Sequence, residues 1–335
     1  EEVKNIAEYA YRQAGGTLPW PTGGEGFPVN ERMIPWFEER LIWRGERTQI
    51  VQDWKGNICE IGNEYSFDYL RNARDFVTRR WIKCPVANRS EWEALKPRYD
   101  ANAPERLPAD AAERGRRLRD RDWVVKLNFS GPFWQLREWL GFEDLCMLFL
   151  DDPDFVRELI QFWENHVAIL LERLLVHVVP DEICISEDMA YKAKPMIGPA
   201  MAREFILPTW KRWAGLMQQA GVPVRMVDSD GFVGDLLPVW VEAGFNACSP
   251  MEIAANNNLQ QLRQTFGVAM SYAGGVDKRL IAKGGTGLTQ AIAGFEPLIA
   301  QGGFIPGCDH AVPHDVSWAN FQDYVRQLSV ATGWL

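Results

Sequence analysis

The alternation of apolar and polar positions changes character at Asp122. Before that point no single period persists. Residues 15–28 (GGTLPWPTGGEGFP) crowd Gly and Pro too densely for a helix interior or a central strand. Residues 35–44 read as a short amphipathic helix, and residues 48–60 as two short strands around a turn at Lys55-Gly56-Asn57. Residues 106–121 are rich in charge and read as a solvated helix or loop. From Asp122 onward, strand-like runs at 123–129, 182–186, 222–227, 245–248, 268–273 and 303–306 alternate with helical spacing of apolar residues. The helices are expected at 153–178, 200–220 with a kink near Pro208, 236–243, 259–266, 278–282, 288–301 and 318–331.

Short strands alternating with longer helices predict parallel βαβ units. The reading that fits best is an α/β fold of the (β/α)8 TIM-barrel type with an irregular N-terminal extension. Residues 1–121 supply the extension and first barrel elements, and 122–335 the main part of one domain overall. A doubly wound sheet is the runner-up. No G-x-G-x-x-G follows a strand and no G-x-x-x-x-G-K-[ST] occurs, which weakens the nucleotide-binding version of that fold.

Composition narrows the function classes. The 335 residues are 47% hydrophobic and 24% charged, which excludes disordered and fibrous classes. A net charge of −9 argues against a surface that tracks nucleic-acid phosphates. The longest apolar stretch, 167–179, is interrupted by Glu172, Arg173 and His177, so no membrane span is expected. With no basic, apolar leader read at Glu1, the expected location is the cytoplasm. Six cysteines without a C-x-x-C are expected to be reduced thiols rather than a disulfide framework.

The strand ends are where a barrel places its chemistry, and here they are polar. They lead into Glu187-Asp188, Asp228-Ser229-Asp230-Gly231, Glu252, Gly274-Gly275-Val276-Asp277-Lys278-Arg279 and Cys308-Asp309-His310. Taken singly, each has a plain explanation. Asp228 or Asp230 can cap the next helix. Glu187 and Asp188 can pair with Arg225 or Lys192, and the two glycines can simply turn the chain. Together they converge on one mouth. A thiolate, carboxylates and an imidazole in reach can bind a divalent metal, Cys and His favouring zinc. Adjacent acids can instead divide into proton donor and acceptor.

At these residues the chain resembles the uroporphyrinogen decarboxylase superfamily. The resemblance runs from residue 142 to the C-terminus, through Ser186–Lys192 (SEDMAYK), Asp228–Gly231 (DSDG), Gly274–Arg279 (GGVDKR) and residues 306–320 (PGCDHAVPHDVSWAN). It implies a (β/α)8 barrel, often dimeric. True decarboxylases of this superfamily carry an N-terminal R-Q-A-G-R segment. Here Arg12-Gln13-Ala14-Gly15 is followed by Gly16, so the second arginine is missing. The zinc-dependent, corrinoid-linked methyltransferases carry H-x-C-G and a later Cys in a P-G-C context. In this sequence Asp228 stands where the His would be and Asp230 where the Cys would be, while Pro306-Gly307-Cys308 keeps the thiol.

The resemblance therefore implies a methyltransferase that moves a methyl group between a small substrate and a corrinoid, supplied externally by a carrier protein. Asp228, Asp230, Cys308, His310 and Glu252 would hold zinc or another divalent metal. Glu187, Asp188 and Tyr191 would orient substrate, Gly274, Gly275 and Asp277 would line its site at the turn, and Lys278 and Arg279 would hold its anionic group. A homodimer is expected. The rival is a cofactor-free decarboxylase or lyase acting on a small carboxylic acid or porphyrinogen, with Asp228 and Asp230 as acid and base. A third reading is a corrinoid- or porphyrin-binding module without catalysis.

Overall fold

The run EICIS, with β-branched residues on both sides of a cysteine, forms a strand whose Ile183 and Ile185, two apart and so on one face, are fully buried. Five more strands join it in the main sheet. In the computed structural model, which describes residues 5–17, 24–72 and 79–335, the chain divides into two compact units. One comprises Glu1–Phe27, Ala112–Phe129 and Val178–Leu335. The other comprises Pro28–Ala111 and Ser130–His177.

The first unit is built on a six-stranded sheet. Its strands are β5 (Lys126–Ser130), β6 (Glu182–Ser186), β7 (Val224–Asp228), β8 (Ala247–Met251), β9 (Ser271–Val276) and β10 (Phe304–Cys308), in the order β10-β9-β8-β7-β6-β5. β6 to β10 pair in parallel, with Ser186 opposite Asp228, Asp228 opposite Ser249, and Cys308 opposite Val276. The shared direction brings the C-terminal ends of these strands to one edge of the sheet, the end where α/β folds place ligands. The expected architecture was a closed barrel of eight strands. The sheet among the described residues has six, with no pairing that joins β5 to β10.

The second unit holds the remaining strands: β1 (Arg40–Arg44), β2 (Thr48–Gln52), β3 (Ile58–Gly62) and β4 (Arg80–Lys83), an antiparallel sheet in sequence order. The helix expected at 35–44 is absent, and its second half, Arg40–Arg44, is a strand. Leu41, Ile42 and Trp43 are β-formers, and β1 pairs with β2. A cluster of Trp92, Trp139, Tyr99 and Trp163 fills this unit's interior, with Trp139 Nε1 donating to Tyr99 Oη at 3.0 Å.

Three further expectations are corrected. The charged run from 106 is not simply solvated: Arg106 is 1% exposed, its guanidinium donating to the carbonyls of Asp100, Asn30, Arg32 and Arg98. The helix expected at 288–301 is two, Gly285–Ala293 and Glu296–Gln301, separated by Gly294 and restarted at Pro297. The kink near Pro208 is a π-helical turn at Ala202–Ile206, just before helix Leu207–Gln219. In the glycine-rich run at 15–28, residues 18–23 lie outside the described residues. Arg12 sits on helix Ile6–Gln13 and pairs with Glu8 one turn away, a helix-surface pair. All six cysteines are free. No helix among the described residues is long and apolar enough to cross a membrane.

Candidate active site

β7 ends in Asp228, and the turn that follows carries Asp230 past it. Two features fix this turn. Gly231 has φ +81°, which L side chains avoid, and a Cβ there would lie 2.7 Å from the carbonyl oxygens of Ala190 and Tyr191. Buried Asn257 then clasps the turn, donating from Nδ2 to Gly231 O at 2.8 Å. Gly231 N in turn donates to Glu252 Oε2 at 2.8 Å, so the turn aims a carboxylate from the end of β8. From the end of β10, His310 Nε2 lies 3.2 Å from Asp230 Oδ2.

Asp230, Glu252 and His310 form a trio. Each offers one ligand atom, and these three atoms lie within 4.8 Å of one another. All three side chains are partly accessible, so a small ion or molecule can reach them. Two carboxylates and one imidazole are a suitable donor set for a divalent cation. Lys278 Nζ reaches Glu252 Oε1 at 3.3 Å, a cation on the trio's edge.

Asp228 lies beside the trio. Burial pushes its carboxyl up to about 6, with the charges of Asp230 and Asp188 adding to the shift. Ser186 Oγ is 3.2 Å from Asp228 Oδ2 and 3.1 Å from Asn128 Oδ1. A hydroxyl has one proton, so Ser186 donates to one of the two and accepts at the other, from a protonated Asp228 or from the Asn128 amide turned to present Nδ2. Burial also raises Asp230, while His310 opposes the rise. Asp188 contributes charge to both, and it holds φ +37°, a strained conformation for a residue with a side chain.

The other expected residues lie outside the trio and make the contacts that follow. Glu187 is fully buried and accepts from Trp210 Nε1 at 2.5 Å, not from Arg225, whose guanidinium donates to the carbonyls of Gly244 and Val222. Tyr191 is 74% exposed, and its backbone carbonyl anchors Phe232 N. Asp277 caps helix Lys278–Lys283 and is clamped by Arg279, whose charge and hydrogen bonds hold its carboxyl below the usual range. Gly274 and Gly275 allow close strand packing: Cβ atoms there would meet Met251 N at 3.0 Å and Leu259 Cδ1 at 2.5 Å. Cys308 lies outside the trio, and burial raises its thiol above the ordinary range.

Two supporting residues escaped the sequence reading. Asp309, fully buried, accepts from Ile253 N at 3.1 Å and Lys278 N at 3.0 Å, tying the loops after β8 and β9 together. Ser229, also fully buried, accepts from Met189 N at 3.0 Å and braces the loop after β6. Their signal was position: each lies between two residues already singled out, Asp309 between Cys308 and His310, Ser229 between Asp228 and Asp230.

No protein-family model matches this sequence, and no curated protein matches it. Among solved structures, the fold is similar to that of a methyltransferase from Methanosarcina mazei, with a TM-score of 0.51 and 17% sequence identity. The likeness covers 68% of this chain and 66% of that one, so the chain spans about two thirds of the neighbour's length. At this identity the likeness is one of fold.

Proposed function

We propose that this chain is a metal-assisted methyltransferase, moving a methyl group between a small substrate and an external corrinoid or other carrier. The observation that carries the reading is the convergence of Asp230, Glu252 and His310 at the C-terminal ends of parallel strands. The fold shared with a methyltransferase supports it. Within this reading belong the uroporphyrinogen decarboxylase-like barrel closure, a cytoplasmic homodimer and a corrinoid carrier protein as partner.

A divalent ion held by the trio would stabilise the anionic form of a substrate hydroxyl, thiol or carboxylate at neutral pH. The chain's own residues do the rest. Gly231 N and Lys278 hold Glu252 in place, and the imidazole of His310 orients Asp230. Asp228, buried and raised to about 6, takes the proton that the substrate's X–H group gives up, and Ser186 and Asn128 accommodate that proton. X then gains the methyl group, and the carrier retains the electron pair of the bond that breaks. Cys308 lies outside the trio and has no ligand role in this reading.

The decarboxylase reading draws support from the same raised Asp228 carboxyl, but it needs cations free to hold a substrate carboxylate. Arg279 is committed to Asp277, and Lys278 to Glu252. The methyl-transfer reading is tested by supplying the protein with methylcobalamin and a panel of small thiols and alcohols. Demethylation seen in the cobalt spectrum supports it. An unchanged spectrum with every acceptor, with carbon dioxide released from a small carboxylic acid, hands the function to the decarboxylase.

A further inference from the structure

We infer that Asp309 is a positioning residue for the carboxylate–imidazole trio, acting through Glu252. The inference rests on the metal-assisted reading above and deepens it, by assigning what sets the trio's geometry in the protein alone.

Asp309 follows β10 in the chain, yet its bonds reach past the neighbouring strand. Its backbone N donates to Val276 O at 2.9 Å, which carries the β10–β9 pairing one residue beyond Cys308. Its side chain then spans the ends of both β9 and β8. Oδ1 accepts from Lys278 N at 3.0 Å, and Oδ2 accepts from Ile253 N at 3.1 Å. Gly274 on β9, the strand between, leaves room for this reach. It holds φ +105°, and a Cβ there would lie 3.0 Å from Met251 N, 3.4 Å from Cys308 O and 3.6 Å from Asp309 Cα.

The peptide unit that joins Glu252 to Ile253 is gripped at both ends. Its N–H is the one bonded to Asp309, and its carbonyl oxygen accepts from Asn257 Nδ2 at 3.0 Å. Both clamps are buried, Asp309 completely. A peptide unit is planar, so fixing it fixes the ψ of Glu252 at 111°, and with it the direction in which that side chain leaves the backbone. Glu252 Oε2 then meets Gly231 N at 2.8 Å and Oε1 meets Lys278 Nζ at 3.3 Å, in reach of the ligand atoms of Asp230 and His310. One buried carboxylate thus anchors the backbone beside a ligand and the backbone of the cation that touches it. The next residue in the chain is the third ligand, His310.

The residue type follows from its donors. Two N–H groups face two oxygens, and only a carboxylate accepts at both; an amide would turn its NH2 group toward one of them. Bonds from N–H groups to an ionised acceptor are stronger than neutral ones and offset the cost of burying the charge. With both oxygens on backbone donors, Asp309 stands outside the trio and acts on it through Glu252.

The experiment is Co2+ calorimetry of the full chain as wild type, Asp309→Asn, Glu252→Ala and the double variant, with amide hydrogen exchange of the wild type as a second measurement. Asp309→Asn should lower Co2+ affinity about 10-fold or more, the scale of lost outer-shell support. In the Glu252→Ala background the same substitution should cost less than about threefold, because no carboxylate is left to position. A loss of charge or of general stability would instead appear in both backgrounds. Coupling is reciprocal, so Co2+ should slow the exchange of the Ile253 and Lys278 N–H groups in the wild type. That measurement decides the matter where Asp309→Asn does not fold. The proposal is overturned if Asp309→Asn binds Co2+ as wild type does, if its loss is equal in both backgrounds, or if Co2+ leaves the two amides unchanged. A wild type that binds no Co2+ overturns the metal-assisted reading itself, and the positioning role falls with it.

Discussion

Replacing Gly231 by Ala tests the turn on which the trio depends. The residue holds φ +81°, and for an L side chain such a conformation costs about 1–2 kcal/mol. The new Cβ would also stand 2.7 Å from two carbonyl oxygens, Ala190 O and Tyr191 O. These are backbone atoms and cannot rotate aside, so the turn itself must move, adding about 1–3 kcal/mol of overpacking. A total loss of about 2–5 kcal/mol is expected in urea denaturation. The displacement should also loosen the 2.8 Å bond from Gly231 N to Glu252 Oε2, and with it one ligand of the trio. Calorimetry with Mn2+ should then show metal affinity falling about 10-fold, the scale typical of lost outer-shell support. Gly215→Ala, where a Cβ meets nothing within 4 Å, is the control and should match wild type in metal binding. A Gly231→Ala protein with wild-type stability and wild-type affinity would refute the reasoning.

Two other outcomes follow from the same contacts. Arg279→Ala should change substrate KM less than about twofold, because its guanidinium serves Asp277; a large rise in KM would return it to the substrate site. In the second unit, burial pushes Glu31 up to about 7, although Ser130 N and Oγ both donate to it. A raised carboxyl destabilises the fold once ionised, so stability is lost as pH rises from the ordinary value through about 7. Glu31→Gln keeps an acceptor for Ser130 and should stabilise at pH 8 by up to about 3 kcal/mol, and by under about 1 kcal/mol at pH 5. The first figure is a ceiling, since Glu31 as a residue keeps some exposure. Equal effects at both pH values would contradict it.

The parallel half of the fold was legible because most strands there are short, largely apolar runs ended by a polar or turn-forming residue. Expected positions for β6 and for helices Leu259–Phe266 and Trp318–Ala331 match the observed ones. The first 121 residues were harder. In residues 35–44 apolar spacing fits a helix as well as a strand, and the choice was made by pairing with β2, a non-local contact. Arg106 misled for a related reason: a charge can be buried where four backbone carbonyls surround it, and their convergence is invisible in sequence. At the site, strand-end position brought out Asp230, Glu252 and His310. It could not separate them from Asp277, Tyr191 or Cys308, which occupy similar strand-end and loop positions and differ only in local partners.

The most direct test of the account is a Co2+ titration of metal-free protein, followed by calorimetry and by the electronic spectrum of the ion. The account predicts one site, built from oxygen and nitrogen ligands. Its affinity should fall about 10-fold or more in Asp230→Asn, Glu252→Gln and His310→Gln. Cys308→Ala should bind as wild type does, and the spectrum should lack a thiolate charge-transfer band. Wild-type affinity in the three trio variants, or loss of the ion and of a thiolate band in Cys308→Ala, would contradict it.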